Sequence, residues 1–405
     1  MARILWLKTG SLYPADTGGR IRSLNMLKEL HRRHEITYLS LLPRESDAAA
    51  RDYADFASRA VWIDYDEPPA HGYGMLGAVA TSLLTSRLPY VIWKYRSRLM
   101  AEEMARLHRE TPFDLIICDY LFPSWSFLQA PFEKRPPAVL FQHNVEAMIW
   151  KRRAEVATGP MKAFSWWQWR RLFTYECAAP HRFDGVIAVS PDDVRIMEDD
   201  YGLTNVLGDV PTGVDIDYFA PLVGDSRTKP FIAFLGSMDW AANCDGVHAF
   251  VQEVWPEIRR KHPGLIFRII GRNPPKGIWD LVQSGQGIEV TGTVADVRPC
   301  LQGAKAAVVP LRIGGGTRLK IFECLAAGIP VVSTEIGAEG LPVENEKHIL
   351  LARDIPVLGA PLSRLLSDDA LAGRIAEQGR ALVCQHYSWA AATSVFENLM
   401  GRWLH

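Results

Sequence analysis

One alternation, running almost the full length of the chain, constrains the fold more than any other feature. Short runs rich in Val, Ile and Leu alternate with longer stretches of helical periodicity. "ARILWLKT", "EITYLSLL", "AVWIDY", "DLIICDY", "AVLFQHN" and "GVIAVS" form a first set. Between the first two, Ile21, Leu24, Leu27 and Leu30 repeat at helical spacing in "GRIRSLNMLKELHRRH". Strand, glycine-containing turn, helix, strand is a βαβ unit. Strands that are apolar throughout belong to a parallel sheet covered on both faces.

The pattern then restarts. "FIAFLGS", "LIFRIIG", "IEVTGTV", "AAVVPLR", "PVVST" and "HILLA" form a second set, with helical patterns between most of them. A chain of 405 residues is too long for one core. The two sets therefore predict an α/β protein of two doubly wound, Rossmann-like domains. Their joint falls near "LGDVPTGVDIDYFAP", rich in Gly, Pro and Asp and poor in helix formers. Ligands of such domains sit beyond the carboxyl ends of the strands, and two domains facing each other leave a cleft between them. The informative residues are those just after each strand.

The most informative segment is "VVPLRIGGGTRLKIFECLAAGIPVV", from Val308 to Val332. A strand runs into Gly314, Gly315 and Gly316, then into a helix that Thr317 can cap and that Gly328 closes. A capping box would put Glu at the third following position, where this chain has Lys320, and Arg318 joins it in the first turn. Each cation there opposes the helix dipole at a cost of roughly 0.3–1 kcal/mol. A bound diphosphate removes the conflict. Free N–H groups, glycines that allow close approach and two cations are the parts of a phosphate site. Glu323 lies at the edge of the buried stripe, where its carboxylate can accept from a pair of sugar hydroxyls. The plain alternative is a Lys320–Glu323 ion pair on a solvated face, worth at most about a few tenths of a kcal/mol. Four features coinciding in one segment favour the site.

Other strand ends give weaker signals. Gly18 and Gly19 follow the first strand without completing a GxGxxG, and a plain tight turn explains them almost as well. Gly236 and Ser237 after "FLGS", and Thr293 in "TGTV", suit either contacts to a donor or turn chemistry. His143 and Asn144 in "FQHNVE" stand where a catalytic or hydroxyl-orienting group belongs, although a lone histidine there is often a structural hydrogen-bonding residue. Asp215 and Asp217 form a DxD in the inter-domain joint, read as turn residues, so no catalytic metal is expected. No P-loop, GxSxG or HExxH occurs.

The net charge of -1 gives no reason to expect nucleic acid as a partner. The six cysteines show no CxxC spacing and suit reduced thiols in a cytoplasmic protein. The N-terminal apolar run is too short for a signal peptide. Met75 to Trp93 is the most hydrophobic stretch, but Arg87 and Pro89 interrupt it, so no spanning helix is expected. "KRRAEVATGPMKAFSWWQWRRLFTY", from Lys151 to Tyr175, is dense in Trp, Arg and Lys. It reads either as an amphipathic helix with its tryptophans packed inward, the preferred reading, or as a contact with a lipid-linked, anionic acceptor at the inner face of a membrane.

With these residues together, the chain resembles the retaining glycosyltransferases of family 4, which have the GT-B fold. The resemblance runs from "TGGRIRSLNMLKELHRRHEIT" through "HNVE", "AVSPDD", "PTGVDIDYFAP" and "GSMDWAANCDGVHAF" to "GGGTRLKIFECLAAGIPVVST", the most specific segment. "GAEGL" resembles a branch associated with exopolysaccharide assembly. The resemblance implies metal-independent transfer of a sugar, with retained anomeric configuration, from a nucleotide-sugar such as a UDP- or GDP-sugar. No separate cofactor is implied, and the acceptor is a glycan or lipid-linked hydroxyl. It implies an acceptor domain over residues 1–207, with a C-terminal helix of about 388–405 packing back on it, and a donor domain over 208–387. Glu323 matches the carboxylate that the family uses on the ribose, Gly18 and Gly19 its loop near the diphosphate, and His143 a histidine near the transferred sugar. Two departures stand out. The first Glu of the family's two-glutamate motif is replaced by Gly315, and the Arg and Lys that usually follow "FLG" are absent from "SMDWAAN". Arg318 and Lys320 are expected to supply that charge.

Two rivals share this architecture: a nucleotide-sugar epimerase, and a nucleotide-sugar-binding subunit without catalysis. A nicotinamide dehydrogenase is disfavoured, because no GxGxxG with a following acidic residue is present.

Overall fold

Each apolar run of the first set is a strand of one seven-stranded sheet. These are β1 (Arg3–Thr9), β2 (Glu35–Pro43), β3 (Arg59–Tyr65), β4 (Leu115–Asp119), β5 (Ala138–Phe141) and β6 (Gly185–Ala188), joined at one edge by β7 (Val206–Asp209). The order is β3-β2-β1-β4-β5-β6-β7 and every pair is parallel. β7 was not foreseen. It is a half-buried edge strand, so it lacks the continuous apolar run that marks the others. The computed structural model describes residues 1–405 except 16, 47, 69–71, 222–228, 284–285, 314–318 and 405, with the backbone alone described at 72, 73, 75, 76, 156, 160 and 283.

The second set forms a six-stranded parallel sheet. Its strands are β8 (Phe231–Leu235), β9 (Ile266–Ile270), β10 (Ile288–Val290), β11 (Ala304–Val309), β12 (Val331–Thr334) and β13 (Leu350–Ala352), in the order β10-β9-β8-β11-β12-β13. Both sheets are of the doubly wound type, and each reverses its strand order once. The reversals lie between β1 and β4 and between β8 and β11, and a doubly wound sheet opens a crevice at such a place.

The chain divides into two compact units, Met1–Pro211 with Ala392–His405, and Thr212–Ala391. The helix Trp389–Leu399 brings the C-terminus to the first unit. There Phe396 packs its ring 5.9 Å from Trp6 and 4.9 Å from Phe141, and Glu397 pairs with Arg33 at 2.7 Å. In the second unit Phe250, Trp255 and Phe267 form the aromatic centre of the core, all fully buried. Removing about 25 cal/mol of transfer free energy per Å² of apolar surface, these inward faces dominate the stability of each unit.

The apolar stretch from Met75 to Trp93 is not one helix. It divides into the helices Gly72–Thr85 and Tyr90–Tyr95, and none of the described helices is long and apolar enough to cross a membrane. The Trp-rich segment is the helix Gly159–Ala178, and it does not turn all its tryptophans inward. Trp167 and Trp169 are half-buried, whereas Trp166 is 47% exposed.

Candidate active site

In the first unit, the reversal between β1 and β4 gathers charge into the interior. Lys8 near the end of β1 and Asp119 at the end of β4 are brought side by side by the register that pairs Leu7 with Cys118. Both are buried. The Lys8 Nζ donates to Asp119 Oδ2 at 2.8 Å and to Ser23 Oγ at 2.7 Å, and the Trp6 indole N–H donates to the same carboxylate oxygen at 2.9 Å. Burial opposes charge on both groups. Even so, Lys8 and His143 beside it hold the Asp119 carboxyl well below the usual range, while burial lowers Lys8 against the pull of Asp119.

His143 follows β5 and is 5% exposed. Its Nε2 lies 2.9 Å from Asp119 Oδ1, out of line for a hydrogen bond, and its Nδ1 has no partner among the described residues. Burial drives its pKa down to about 4, against the attraction of Asp119. The imidazole is therefore neutral near pH 7. Tyr120, held at a φ of 74°, stacks on it with ring centroids 4.0 Å apart.

Tyr120 in turn explains one of the two N-terminal glycines. A Cβ on Gly19 would lie 1.8 Å from the Tyr120 hydroxyl oxygen, whereas a Cβ on Gly18 would meet nothing. Gly19 opens the helix Gly18–His31 against the tyrosine, and Gly18 is not sterically required. A cavity of about 270 Å³ opens here, lined among others by Lys8, Gly19, Arg20, Tyr65, Tyr95 and Tyr120. His143 is not in its lining but lies behind Tyr120. Asn144 is at the surface, where its amide donates to Glu146 Oε1 at 3.3 Å.

The loop that carries His143 is held by a carboxylate from the Trp-rich helix. Glu176 is fully buried and accepts from the backbone N–H groups of Glu146 and Ala147, each at 2.8 Å, and from Tyr201 at 3.0 Å and the Gln142 amide. It thus occupies the N-terminal end of the helix Glu146–Val156, where free N–H groups favour an anion. Burial still pushes its pKa up to about 7, against those donors.

In the second unit, the reversal between β8 and β11 brings together the turn after β8 and the helix Leu319–Ala326 after β11. Lys320 is 9% exposed, and its ammonium donates to Asn243 Oδ1 at 2.5 Å. Asn243 donates in turn to the Ser237 carbonyl at 2.7 Å. A Cβ on Gly236 would lie 3.0 Å from both the Lys320 Nζ and the Asn243 amide nitrogen, so a side chain there would crowd this cation and its partner. Glu323 is half-buried on the same helix, and its carboxylate makes no hydrogen bond to another described residue. Burial pushes its carboxyl up to about 7, with Lys320 pulling the other way. Gly314, Gly315, Gly316, Thr317 and Arg318 lie outside the described residues.

The remaining candidates of this unit serve turns. The Ser237 hydroxyl donates to Asp239 at 2.6 Å and accepts from Arg272 Nε at 2.9 Å. Thr293 Oγ accepts from the backbone N–H of Asn273 at 3.1 Å. Arg272 thus stands beside the turn where "SMDWAAN" lacks a cation, a contact that the sequence pattern did not reveal. In the joint, Asp215 accepts from the Tyr218 backbone at 2.8 Å, which is turn chemistry. Among the described residues no cluster of three or more His, Cys, Asp or Glu side chains could hold a metal ion.

Comparison with known proteins adds to this geometry. A family model described as glycosyltransferase family 4 matches residues 17–218, and one described as glycosyl transferases group 1 matches residues 229–368. An uncharacterized 44.6 kDa protein in the cps region of Klebsiella pneumoniae is 22% identical over 370 residues, 87% of this chain and 88% of its own. An MMP alpha-(1->4)-mannosyltransferase of Mycolicibacterium hassiacum is 24% identical over 229 residues, 53% of this chain and 51% of its own. Among solved structures, a sucrose-phosphate synthase from Thermosynechococcus elongatus superposes with a TM-score of 0.69 at 18% identity, covering 99% of both chains. HepE of Anabaena, solved in complex with UDP, does so with a TM-score of 0.63 at 15% identity, covering 99% of this chain and 100% of its own.

Proposed function

The chain belongs to the glycosyltransferases of family 4 and has the GT-B fold, and we propose that it moves a sugar from a UDP- or GDP-sugar to a glycan or lipid-linked hydroxyl, retaining the anomeric configuration and using no metal ion. The observation that carries this reading is the buried Lys320 ammonium, held by Asn243 against the Gly236 turn at the strand-order reversal of the second sheet.

A fixed cation at that place suits a diphosphate. As the bond to the sugar breaks, negative charge grows on the departing diphosphate, and a charge already in position needs no reorganisation to stabilise it. Arg318 and the amides of Gly314, Gly315 and Gly316 complete this set in the proposal. Glu323 takes the ribose hydroxyl pair, having no competing hydrogen bond among the described residues. HepE, the Anabaena relative, was solved with UDP, which is in keeping with a uridine nucleotide here.

In the first unit, neutral His143 is proposed to hydrogen-bond the transferred sugar. The cavity beside Tyr120 suits a glycan acceptor. Its wall is aromatic, with Tyr65, Tyr95, Phe122 and Tyr120 following one another at ring separations of 5.5–6.1 Å.

Thermal-shift measurements against a panel of nucleoside diphosphates and their sugars test the reading. A ligand that binds only the folded protein raises its melting temperature by mass action. The donor should raise it in the parent protein and much less in Lys320→Ala. A panel in which no member shifts the melting temperature overturns the proposal.

A further inference from the structure

We propose that the exposed stripe of the helix Gly159–Ala178 is a docking surface for an anionic lipid bilayer, on which the protein lies without crossing it. Lys162, Trp166, Arg170 and Phe173 follow one another at helical spacing on this helix, and all four are exposed. Side chains three or four residues apart share one face of a helix. Trp166 is 47% exposed, and Phe173, 36% exposed, keeps one edge on Tyr201 at a ring separation of 5.2 Å and turns the rest of its ring outward. The Arg170 guanidinium lies 5.0 Å over the Trp166 ring.

The charge on this face has one sign. The only carboxylate of the helix, Glu176, is buried among the N–H groups it holds and does not reach this surface. Beside the stripe is a groove of about 550 Å³, lined among others by Arg87, Trp166, Trp167, Arg170, Arg171 and Thr174. Arg171 stacks 4.1 Å over Trp167 and donates to the Ser86 carbonyl at 2.7 Å and the Leu88 carbonyl at 3.1 Å. It thereby fixes the segment that presents Arg87. Just before that segment, Leu84 is 87% exposed.

Amphipathic indole rings interleaved with cations fit the headgroup layer of a bilayer. The rings settle at the boundary between headgroups and acyl chains, and Lys and Arg are drawn to anionic headgroups. A second copy of the same stripe would instead set like charges against each other. None of the described helices can cross a bilayer, so the contact is peripheral. The surface goes beyond the transferase reading, whose failure would leave it standing, and it gives that reading a place to meet a lipid-linked acceptor.

Co-sedimentation of the full chain with vesicles tests this, using phosphatidylcholine with phosphatidylglycerol against phosphatidylcholine alone. Binding is expected on the anionic vesicles and should be lost at high salt. Each of Lys162→Glu and Arg170→Glu should weaken it by about fivefold or more, and Trp166→Ala should weaken it without changing its salt dependence. The variants should keep the parent's melting temperature and its shift with nucleotide donor, which separates lost docking from lost folding. Equal binding to phosphatidylcholine alone, no sedimentation with either vesicle, or variants that bind like the parent overturn the proposal. So does a dimer in light scattering that Trp166→Ala abolishes, since a second copy would then be the occupant. A parent protein that binds vesicles but shows no melting shift with any nucleotide would count against the donor reading and leave this one intact.

Discussion

Asp119 Oδ1 lies 2.9 Å from His143 Nε2, while its other carboxylate oxygen is taken by Lys8 and Trp6. One buried carboxylate therefore faces two bases, and the two are not equivalent. Lys8 donates a well-aligned hydrogen bond and acts as the counter-ion. His143 is near but out of line, and it stays neutral with both nitrogens unbonded among the described residues. A neutral ring keeps one donor and one acceptor nitrogen, and both are buried here beneath Tyr120.

Asp119→Asn should be costly for the same reason. It removes the negative charge and leaves the Lys8 ammonium buried without a counter-ion. Breaking a buried pair in this way costs about 3–5 kcal/mol, much of it the penalty for the stranded charge. Adding Lys8→Met to Asp119→Asn removes that charge and should recover most of the loss. Urea denaturation of the two single variants and the double variant checks this. A double variant no more stable than Asp119→Asn would show that the pair does not carry the energy.

His143 should titrate far below the usual histidine range. Its value in the folded protein, about 4, lies under the model-peptide value of 6.5. A depressed base favours the folded state in its neutral form. That contribution is present above pH 6.5 and is lost as the pH falls toward 4. The ring resonances in NMR should therefore stay unchanged from pH 8 down to about pH 5. His143→Ala should lower kcat by about 100-fold with little effect on KM for the donor. A ring that titrates near 6.5 would contradict the buried, neutral state.

The fold was legible because its signal is long and repeated. Each quoted apolar run became a strand, and the restart of the pattern after the first set matches the second sheet. The helix after β11 was legible from its apolar spacing and the closing Gly328, whereas the glycine loop before it lies outside the described residues. The Lys8–Asp119–His143 cluster was not read out, except for His143. Lys8 and Asp119 are single charges at the ends of apolar runs far apart in sequence, and only the adjacency of β1 and β4 makes them partners. A weak signal existed: a Lys and an Asp inside strands that read as fully buried must find opposite charge. Asn243 and Glu176 gave less warning, because a polar residue in an amphipathic helix normally faces water.

Lys320→Gln should weaken donor binding by about 1.5–3 kcal/mol, the worth of a charge-assisted hydrogen bond, which is roughly tenfold to more than a hundredfold in Kd. The substitution keeps a donor for Asn243, so folding should change little. Asn243→Ala should act in the same direction but less, since it frees the ammonium without removing it. Calorimetric titration with the donor found in the thermal-shift panel measures both. A Kd for Lys320→Gln within twofold of the parent would remove the ammonium from the diphosphate site.

Donor binding should depend on pH through Glu323. Its carboxyl is pushed up to about 7, so protonation near neutrality competes with its role as an acceptor for two hydroxyls. The affinity for a nucleotide-sugar, whose diphosphate diester does not titrate there, should fall as the pH drops below about 7. Glu323→Gln should bind more weakly at pH 8 and show no such slope. A slope that persists in Glu323→Gln would assign the titration to another group.

Gly19 and Tyr120 should prove coupled. The Cβ of Gly19→Ala would lie 1.8 Å from the Tyr120 hydroxyl oxygen, 2.9 Å from Cζ and 3.3 Å from one Cε. The tyrosine must move, and it is the ring stacked 4.0 Å from His143 and lying beneath the Lys8 ammonium at 4.6 Å. Gly19→Ala should thus lower activity by displacing a ring, although it adds only a methyl group. Tyr120→Phe removes the atom in closest conflict and leaves the milder contact at Cζ. The double variant should therefore regain part of what Gly19→Ala loses, in both activity and melting temperature, giving an interaction energy of about 0.5–3 kcal/mol in the cycle. Strict additivity of the two substitutions would mean that the glycine is there for the loop backbone alone.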